Sequence, residues 1–188
     1  MPLAEYHRKR KFEETPEPAG TERAAPAATA RFVVQMHDAS HLHYDFRLEV
    51  DGVLVSWAVP KGPSMNPAEK RLAMMTEDHP LEYAGFEGVI PEGNYGAGTV
   101  MVWDNGTWEP EGSKTARQQL DDGELKFTLH GAKLRGSFVL VRTRWGAKAG
   151  KSWLLIKHRD PDADLGFDID SLAWSVLSRR TMRQIAEG

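Results

Sequence analysis

From Arg31 onward, hydrophobic and polar residues alternate with a period of two, the period of side chains on a half-buried strand. In "RFVVQMH", Phe32, Val34 and Met36 share one face, while Arg31, Val33, Gln35 and His37 share the other. After the turn-like "DAS", Leu42, Tyr44, Phe46, Leu48 and Val50 form an apolar face opposite His41, His43, Asp45, Arg47 and Glu49. "DG" at Asp51 and Gly52 turns the chain into "VLVSWAV", an apolar run of strand composition. Similar runs predict strands at "RLAMMT" (71–76), "TVMVWD" (99–104), "ELKFTLH" (124–130), "SFVLVRTR" (137–144) and "SWLLIKH" (152–158), and "DNGT" at 104–107 reads as a hairpin turn.

Two segments carry helical signals: "KTARQQLDD", closed by Gly123, and the tail "DSLAWSVLSRRTMRQIAEG", for which Asp170 or Ser171 is the expected N-cap. About eight strands with short turns and one or two short flanking helices predict a mainly β protein, a small antiparallel β-barrel. "TPEPAGTERAAPAATA" (Thr15 to Ala30) has neither period and reads as linker. The expected division is a basic, extended N-terminal arm and linker over residues 1–30, a barrel core over 31–160 and a C-terminal helical tail over 161–188. Trp103, Trp108, Trp145 and Trp153 are expected to pack in the core or at the barrel ends rather than to stack on bases.

Composition narrows the chemistry. A chain of 188 residues that is 40% hydrophobic suits one well-cored domain. Its 24 basic and 27 acidic residues leave a formal charge of -3, so any attraction to phosphate must be local. The run His7, Arg8, Lys9, Arg10, Lys11 reads as a solvated tail. The absence of cysteine excludes disulfides, thiolate zinc sites and cysteine nucleophiles, and accords with a reducing compartment. No stretch approaches the ~18 apolar residues of a membrane span and the opening residues lack an apolar targeting region, so a soluble, cytoplasmic chain with no membrane partner is expected.

The polar face of the second strand holds the candidate chemistry. His43 and Asp45 lie two residues apart on one face, and His37 on the preceding strand of the hairpin is placed to supply a third ligand. Two imidazoles and a carboxylate leave coordination positions open, as a catalytic metal needs. Arg47 continues that face with a planar fork suited to phosphate or to carboxylate. Lys61, on a proline-interrupted loop, and Arg71, opening the next strand, would read as solvated charge if they stood alone. His79 precedes a proline, which favours extended backbone. The glycines of "GFEGVIPEGNYGAGTV" lack the order of a nucleotide-binding loop and are expected to serve turns and close backbone approaches.

Taken in order, "FVVQMHDASHLHYDFRLEVDGVLVSWAVPKGPS", "RLAMMTEDHPLEYAGFEGVIPEGNYGAGTV" and "WDNGTWEP" resemble the 3'-phosphoesterase domain of bacterial ligase D, the multifunctional enzyme of non-homologous DNA end joining. The likeness runs from about the basic arm to the tail. It implies a β-barrel that removes a 3'-terminal ribonucleotide, and then the remaining 3'-phosphate, from a primer-template end to leave a ligatable hydroxyl. Manganese is the implied metal. DNA or RNA-tipped DNA 3' ends are the implied substrates, with ligase and polymerase domains and Ku as implied partners. Carried onto this sequence, His37, His43 and Asp45 are the implied metal ligands. Arg47 and His79 are the implied phosphate-contacting catalytic residues, supported by Lys61, Arg71 and Tyr83. The chain departs from the family at His41, where relatives more often carry arginine, and at Lys11, where an acid is common in an arm that assists the ribonuclease step; Glu17 is retained.

On this reading the metal acts as Lewis acid, Arg47 with Lys61 and Arg71 neutralises phosphate oxygens, and His79 either protonates the leaving oxygen, only binds the phosphate, or attacks it. Two other classes use the same residues: a non-haem iron oxygenase built on the two histidines and Asp45, and a DNA-end-binding module without catalysis.

Overall fold

The hairpin legible in the sequence, β1 (Ala30–Asp38) and β2 (Leu42–Val50), pairs in the register Val34↔Phe46 and Met36↔Tyr44, which turns both apolar faces the same way. The computed structural model describes residues 2–21, 29–144, 148 and 150–188. It continues with β3 (Val53–Val59), β4 (Arg71–Met75), β5 (Gly88–Ile90), β6 (Gly98–Pro110), β7 (Glu124–Gly131), β8 (Arg135–Arg142) and β9 (Ser152–Lys157). Neighbours run in the order β1-β2-β3-β4-β9-β8-β7-β6, and β6 pairs back onto β1, so eight antiparallel strands close into a barrel. Closure removes the edges of the eight ring strands. β5 adds outside the ring, on the first residues of β6.

Inward-facing Phe32, Val34, Phe46, Leu48, Trp57, Phe127 and Phe138 fill the barrel together with Trp103, Trp108 and Trp153. Those three tryptophans are core, as expected. Trp145 and residues 22–28 of the expected linker lie outside the described residues.

"DNGT" is not a hairpin turn. β6 runs through it for 13 residues, because its side chains and backbone are committed elsewhere. Asp104 is fully buried and accepts N–H bonds from Ala132 (2.9 Å), Lys133 (3.1 Å) and Leu134 (2.8 Å), so it caps the β7–β8 turn rather than its own. Gly106 lies so close to the next strand that a Cβ there would fall 2.1 Å from the carbonyl oxygen of His130. A register shift against Val34 and Gln35 inserts an extra residue in β6. That bulge lets Trp103 and Trp108, an odd number of positions apart, both face the interior. Asp104→Ala is expected to cost about 1–3 kcal/mol, since the buried Leu134 N–H loses its acceptor along with the more accessible N–H groups of Ala132 and Lys133. Urea denaturation would show this as a lower midpoint at unchanged slope; an unchanged midpoint would contradict it.

Of the predicted helices, α2 (Ala116–Asp122) forms as read, with a Thr115–Gln118 capping box and Gly123 in the left-handed region at φ 86°. The tail corrects the expectation of one helix capped at Asp170 or Ser171. It forms a 3-10 turn at Ile169–Leu172, capped by Asp168, and then a short helix, α3 (Met182–Glu187), capped by Thr181. Between them the Ser175 hydroxyl accepts N–H bonds from Leu177 and Ser178 and Arg179 adopts φ 66°, a local arrangement that competes with helix. No helix among the described residues is long and apolar enough to cross a membrane.

The basic arm is the larger correction. It contains a helix, α1 (Ala4–Arg8), and Leu3 and Tyr6 are fully buried in a second core with Val33, Leu54, Leu81, Tyr83, Ile90 and Val102 on the outside of the barrel. The Tyr6 hydroxyl donates to the Pro18 carbonyl, folding the arm back on itself. Burial of two large apolar side chains, roughly 1.5–3 kcal/mol each, holds the arm down. The outer face of β1 and β2 is therefore roofed, which places its polar residues in a cleft.

Candidate active site

Strand parity puts His37 of β1 and His43, Asp45 and Arg47 of β2 on that roofed outer face, with His37 directly opposite His43 and Gln35 opposite Asp45. The two imidazoles lie 4.8 Å apart between ring centroids. His37 Nδ1 is 3.4 Å from Asp45 Oδ2, and His43 Nε2 is 3.3 Å from Asp45 Oδ1. Ligand atoms of His37, His43 and Asp45 all lie within 4.8 Å of one another.

The protons on these rings follow from their other partners. His37 Nε2 is 2.6 Å from the Gly96 carbonyl, and His43 Nδ1 is 3.0 Å from the His41 carbonyl. A carbonyl only accepts, so those nitrogens donate and the opposite nitrogens, Nδ1 of His37 and Nε2 of His43, turn their lone pairs toward Asp45. Two lone pairs and a carboxylate at this range repel unless a cation lies among them. Burial works against charge on His43, but the hydrogen bond and charge of Asp45 outweigh it and raise its pKa. Burial likewise opposes ionisation of Asp45, yet Arg47 and the two histidines hold it well below the usual carboxylate range. This donor set fits a divalent transition metal. The His41 side chain is exposed, and only its carbonyl serves the site.

Beside this trio is a cavity of about 190 Å³ lined by Arg10, Arg47, Glu77, His79, Tyr83 and Tyr95 along with His37, His43 and Asp45. Arg47 is 3% exposed; its Nε donates to Gln35 Oε1 at 2.7 Å, a terminal nitrogen lies 3.4 Å from Asp45, and the guanidinium stands 4.9 Å from the Tyr83 ring centroid. The Gln35 amide nitrogen is committed to the carbonyls of Tyr83 and Phe86, which fixes its oxygen toward Arg47. Arg10 reaches in from the arm, paired with Glu17 at 2.9 Å and Glu77 at 3.3 Å and donating to His79 Nε2 at 3.3 Å. The Tyr83 hydroxyl donates to Glu17 at 2.7 Å, and burial holds its pKa well above 10. Two guanidiniums, Arg10 and Arg47, thus face three carboxylates, Asp45, Glu17 and Glu77; a divalent cation held here would reverse the sign of that balance and favour a phosphate dianion.

His79 is pinned by backbone bonds to Leu54 in both directions and by Nδ1 donating to the Glu77 carbonyl at 2.9 Å. Burial, reinforced by Arg47 and Arg10, holds its pKa well below the usual 6.5, so the ring is neutral in the folded chain. The unfolded chain binds a proton near pH 6.5 that the folded chain refuses. This contribution is therefore complete above that pH and shrinks as pH falls, by about 1.4 kcal/mol per pH unit for one group. His79→Gln, which does not titrate, is expected to lose less stability than the unsubstituted protein between pH 6.5 and 5 in urea titrations; equal losses would contradict the neutral ring.

The sequence-predicted residues divide. His37, His43, Asp45, Arg47, His79 and Tyr83 meet around one cavity. Lys61 and Arg71 do not line it. Lys61 is exposed on the turn after β3, and Arg71 shares the inward-facing parity of Ala73 and Met75, opposite to the outward Ala58 that lines the cavity, and pairs with Glu69 at 2.9 Å. Arg10, Glu77 and Tyr95 are the additions. The signal for Arg10 was the apolar pair Leu3 and Tyr6, three positions apart, which marks a helix face that docks rather than a solvated tail.

A family model described as the DNA Ligase D 3'-phosphoesterase domain matches residues 35–142, more than half of the chain. The multifunctional non-homologous end joining protein LigD of Pseudomonas aeruginosa is 53% identical over 185 residues, which is 96% of this chain and 22% of that protein. The corresponding DNA repair protein of Mycobacterium tuberculosis is 44% identical over 180 residues, 96% of this chain and 23% of that protein. LigD of Mycolicibacterium smegmatis is 45% identical over 163 residues, covering 84% and 21%. The chain spans less than a quarter of the length of these relatives. With its barrel, its site and the matched region in agreement, the chain belongs to the 3'-phosphoesterase domain family of DNA ligase D.

Proposed function

We propose that the chain is a divalent-metal-dependent phosphoesterase that heals DNA 3' ends, removing a 3'-phosphate and, before it, a 3'-terminal ribonucleotide from a primer-template end to leave a hydroxyl. The observation that carries this reading is the placement of three metal-type ligands and two buried guanidiniums around one small cavity. His37, His43 and Asp45 would hold the ion, with manganese as the proposed metal. When bound, it supplies Lewis-acid polarisation of a phosphate oxygen.

The remaining chemistry belongs to the side chains. Arg47 and Arg10 donate to phosphate oxygens from fixed positions and stabilise the charge that spreads over them in the transition state. His79 lines the cavity, and its Nε2, the ring atom not committed to Glu77, accepts from Arg10 at 3.3 Å. A phosphate dianion that draws Arg10 away from Nε2 and offsets the two guanidiniums would let His79 take up a proton from solvent and deliver it to the leaving 3'-oxygen as water attacks phosphorus and the P–O3' bond breaks. Tyr83 and Glu17 hold Arg10 in place. That link ties the arm to the site, and through it to the ribonuclease step; Lys11 points away, 69% exposed and paired with Glu14. Lys61, exposed on the turn after β3, and Arg71, paired with Glu69 on the inward face of β4, take no part in this proposed chemistry. The neighbouring polymerase and ligase activities and Ku are the proposed partners, met in the context of a longer end-joining protein.

The test is a 5'-labelled primer-template ending in a 3'-phosphate or a 3'-ribonucleotide, incubated with manganese or with EDTA. The expected products are hydroxyl-ended primers with manganese alone. Binding without phosphate release would overturn the enzyme in favour of an end-binding module, and oxygen consumption with iron and a keto acid would favour the oxygenase.

A further inference from the structure

Among the residues lining the cavity, Tyr95 alone is exposed, at 46%, while the others are buried or half-buried. It sits in the glycine-rich connection between β5 and β6, where Gly93 and Gly96 adopt φ of 88° and 75°, conformations that side-chain-bearing residues rarely take. The connection is anchored at the metal site, because His37 donates to the carbonyl of Gly96, the residue next to Tyr95. On its other side the ring meets the arm: Lys9 Nζ lies 4.8 Å and Arg10 Cζ 5.2 Å from its centroid, and Lys9 Nζ is 3.4 Å from its hydroxyl. The ring is thus held at the cavity mouth beside His37, through Gly96, and beside Arg10 and Lys9, with close to half of the residue open to solvent.

At about 190 Å³ the cavity is small against the roughly 300–1,000 Å³ of ordinary ligand pockets. It has room for a phosphate and part of a sugar, so the base of the terminal nucleotide must emerge at the mouth, where Tyr95 stands. Every base presents a π-face, so an aromatic platform binds a 3' end of any sequence, as a healing enzyme requires. We propose that the nucleobase of the 3'-terminal nucleotide stacks on Tyr95, which makes Tyr95 a substrate-positioning residue. This inference rests on the phosphoesterase reading above. Adjacent cations strengthen the platform by drawing the flanking phosphate toward the same spot.

The probe is a primer-template whose terminal nucleotide carries 2-aminopurine and a 3'-methylenephosphonate, which resists hydrolysis; manganese is present throughout, so its own quenching cancels between variants. Fluorescence of the complex is expected to be quenched with the unsubstituted protein and with Tyr95→Phe, and released with Tyr95→Ala. On an ordinary 3'-phosphate primer, Tyr95→Ala should raise KM about tenfold with kcat changed less than about twofold. On a primer ending in an abasic 3'-phosphate the two proteins should share the same, already elevated KM. An equal rise in KM on the abasic primer, or unchanged quenching in Tyr95→Ala, would overturn the stacking role while leaving the enzyme intact. Tyr95-dependent quenching without any phosphate release from the ordinary primer would instead remove the phosphoesterase reading and retain the platform.

Discussion

Asp45→Asn is expected to lower the rate of 3'-phosphate release by about a thousandfold or more. Removing a single preorganised donor to a transition state commonly costs 10²–10³, and this substitution removes the charge of a proposed metal ligand that also orients an arginine. Asp45 is the hub of the site: both imidazoles and Arg47 approach its oxygens between 3.3 and 3.4 Å. An asparagine keeps the shape and one acceptor oxygen but loses the charge that offsets Arg47, which is 3% exposed. Breaking a buried pair in this way costs about 3 kcal/mol or more in stability. Manganese calorimetry and a thermal melt separate the two effects, since the variant should stay folded at assay temperature while showing no heat of metal binding. Turnover within tenfold of the unsubstituted protein would refute the role of Asp45.

Arg47→Lys is expected to be nearly as damaging as Arg47→Ala, each lowering kcat/KM by about 10²–10³. The guanidinium does three things at once: Nε donates to Gln35, a terminal nitrogen reaches Asp45, and its face lies toward Tyr83. A lysine ammonium is a point charge on a flexible stem; it cannot span Gln35 and Asp45 while presenting a flat donor edge to phosphate. The loss should fall on kcat more than KM if the contact tightens in the transition state. Full rescue by lysine, read from steady-state kinetics on a 3'-phosphate primer, would show that charge alone suffices.

The parts of the molecule visible in the sequence were those set by local periodicity. In β1 and β2 each residue's face follows from its parity, so the grouping of His37, His43, Asp45 and Arg47 could be read directly, and the barrel followed from the number and spacing of similar runs. Helix α2 was legible because its cap and its closing glycine lie within the element. Features decided by distant partners were hidden. Asp104 and Gly106 look like turn residues until the β7–β8 turn and the backbone of His130 are seen to occupy them. Arg10 sits among solvated charges in the sequence, but Leu3 and Tyr6 bury against β1 and carry it to His79. Arg71 fails the same parity that assembled the rest: it lies on the inward face of β4, so its spacing in the sequence could not bring it to the outer cleft.

The central claim is that His37, His43 and Asp45 hold one divalent cation in the cleft outside the barrel. Crystals grown with manganese and measured at a wavelength sensitive to it test this most directly. The account predicts one strong anomalous peak within coordination distance of His37 Nδ1, His43 Nε2 and an Asp45 oxygen, absent from crystals of Asp45→Asn. A peak bound elsewhere, or full activity in protein whose crystals show no peak at these three side chains, would contradict it.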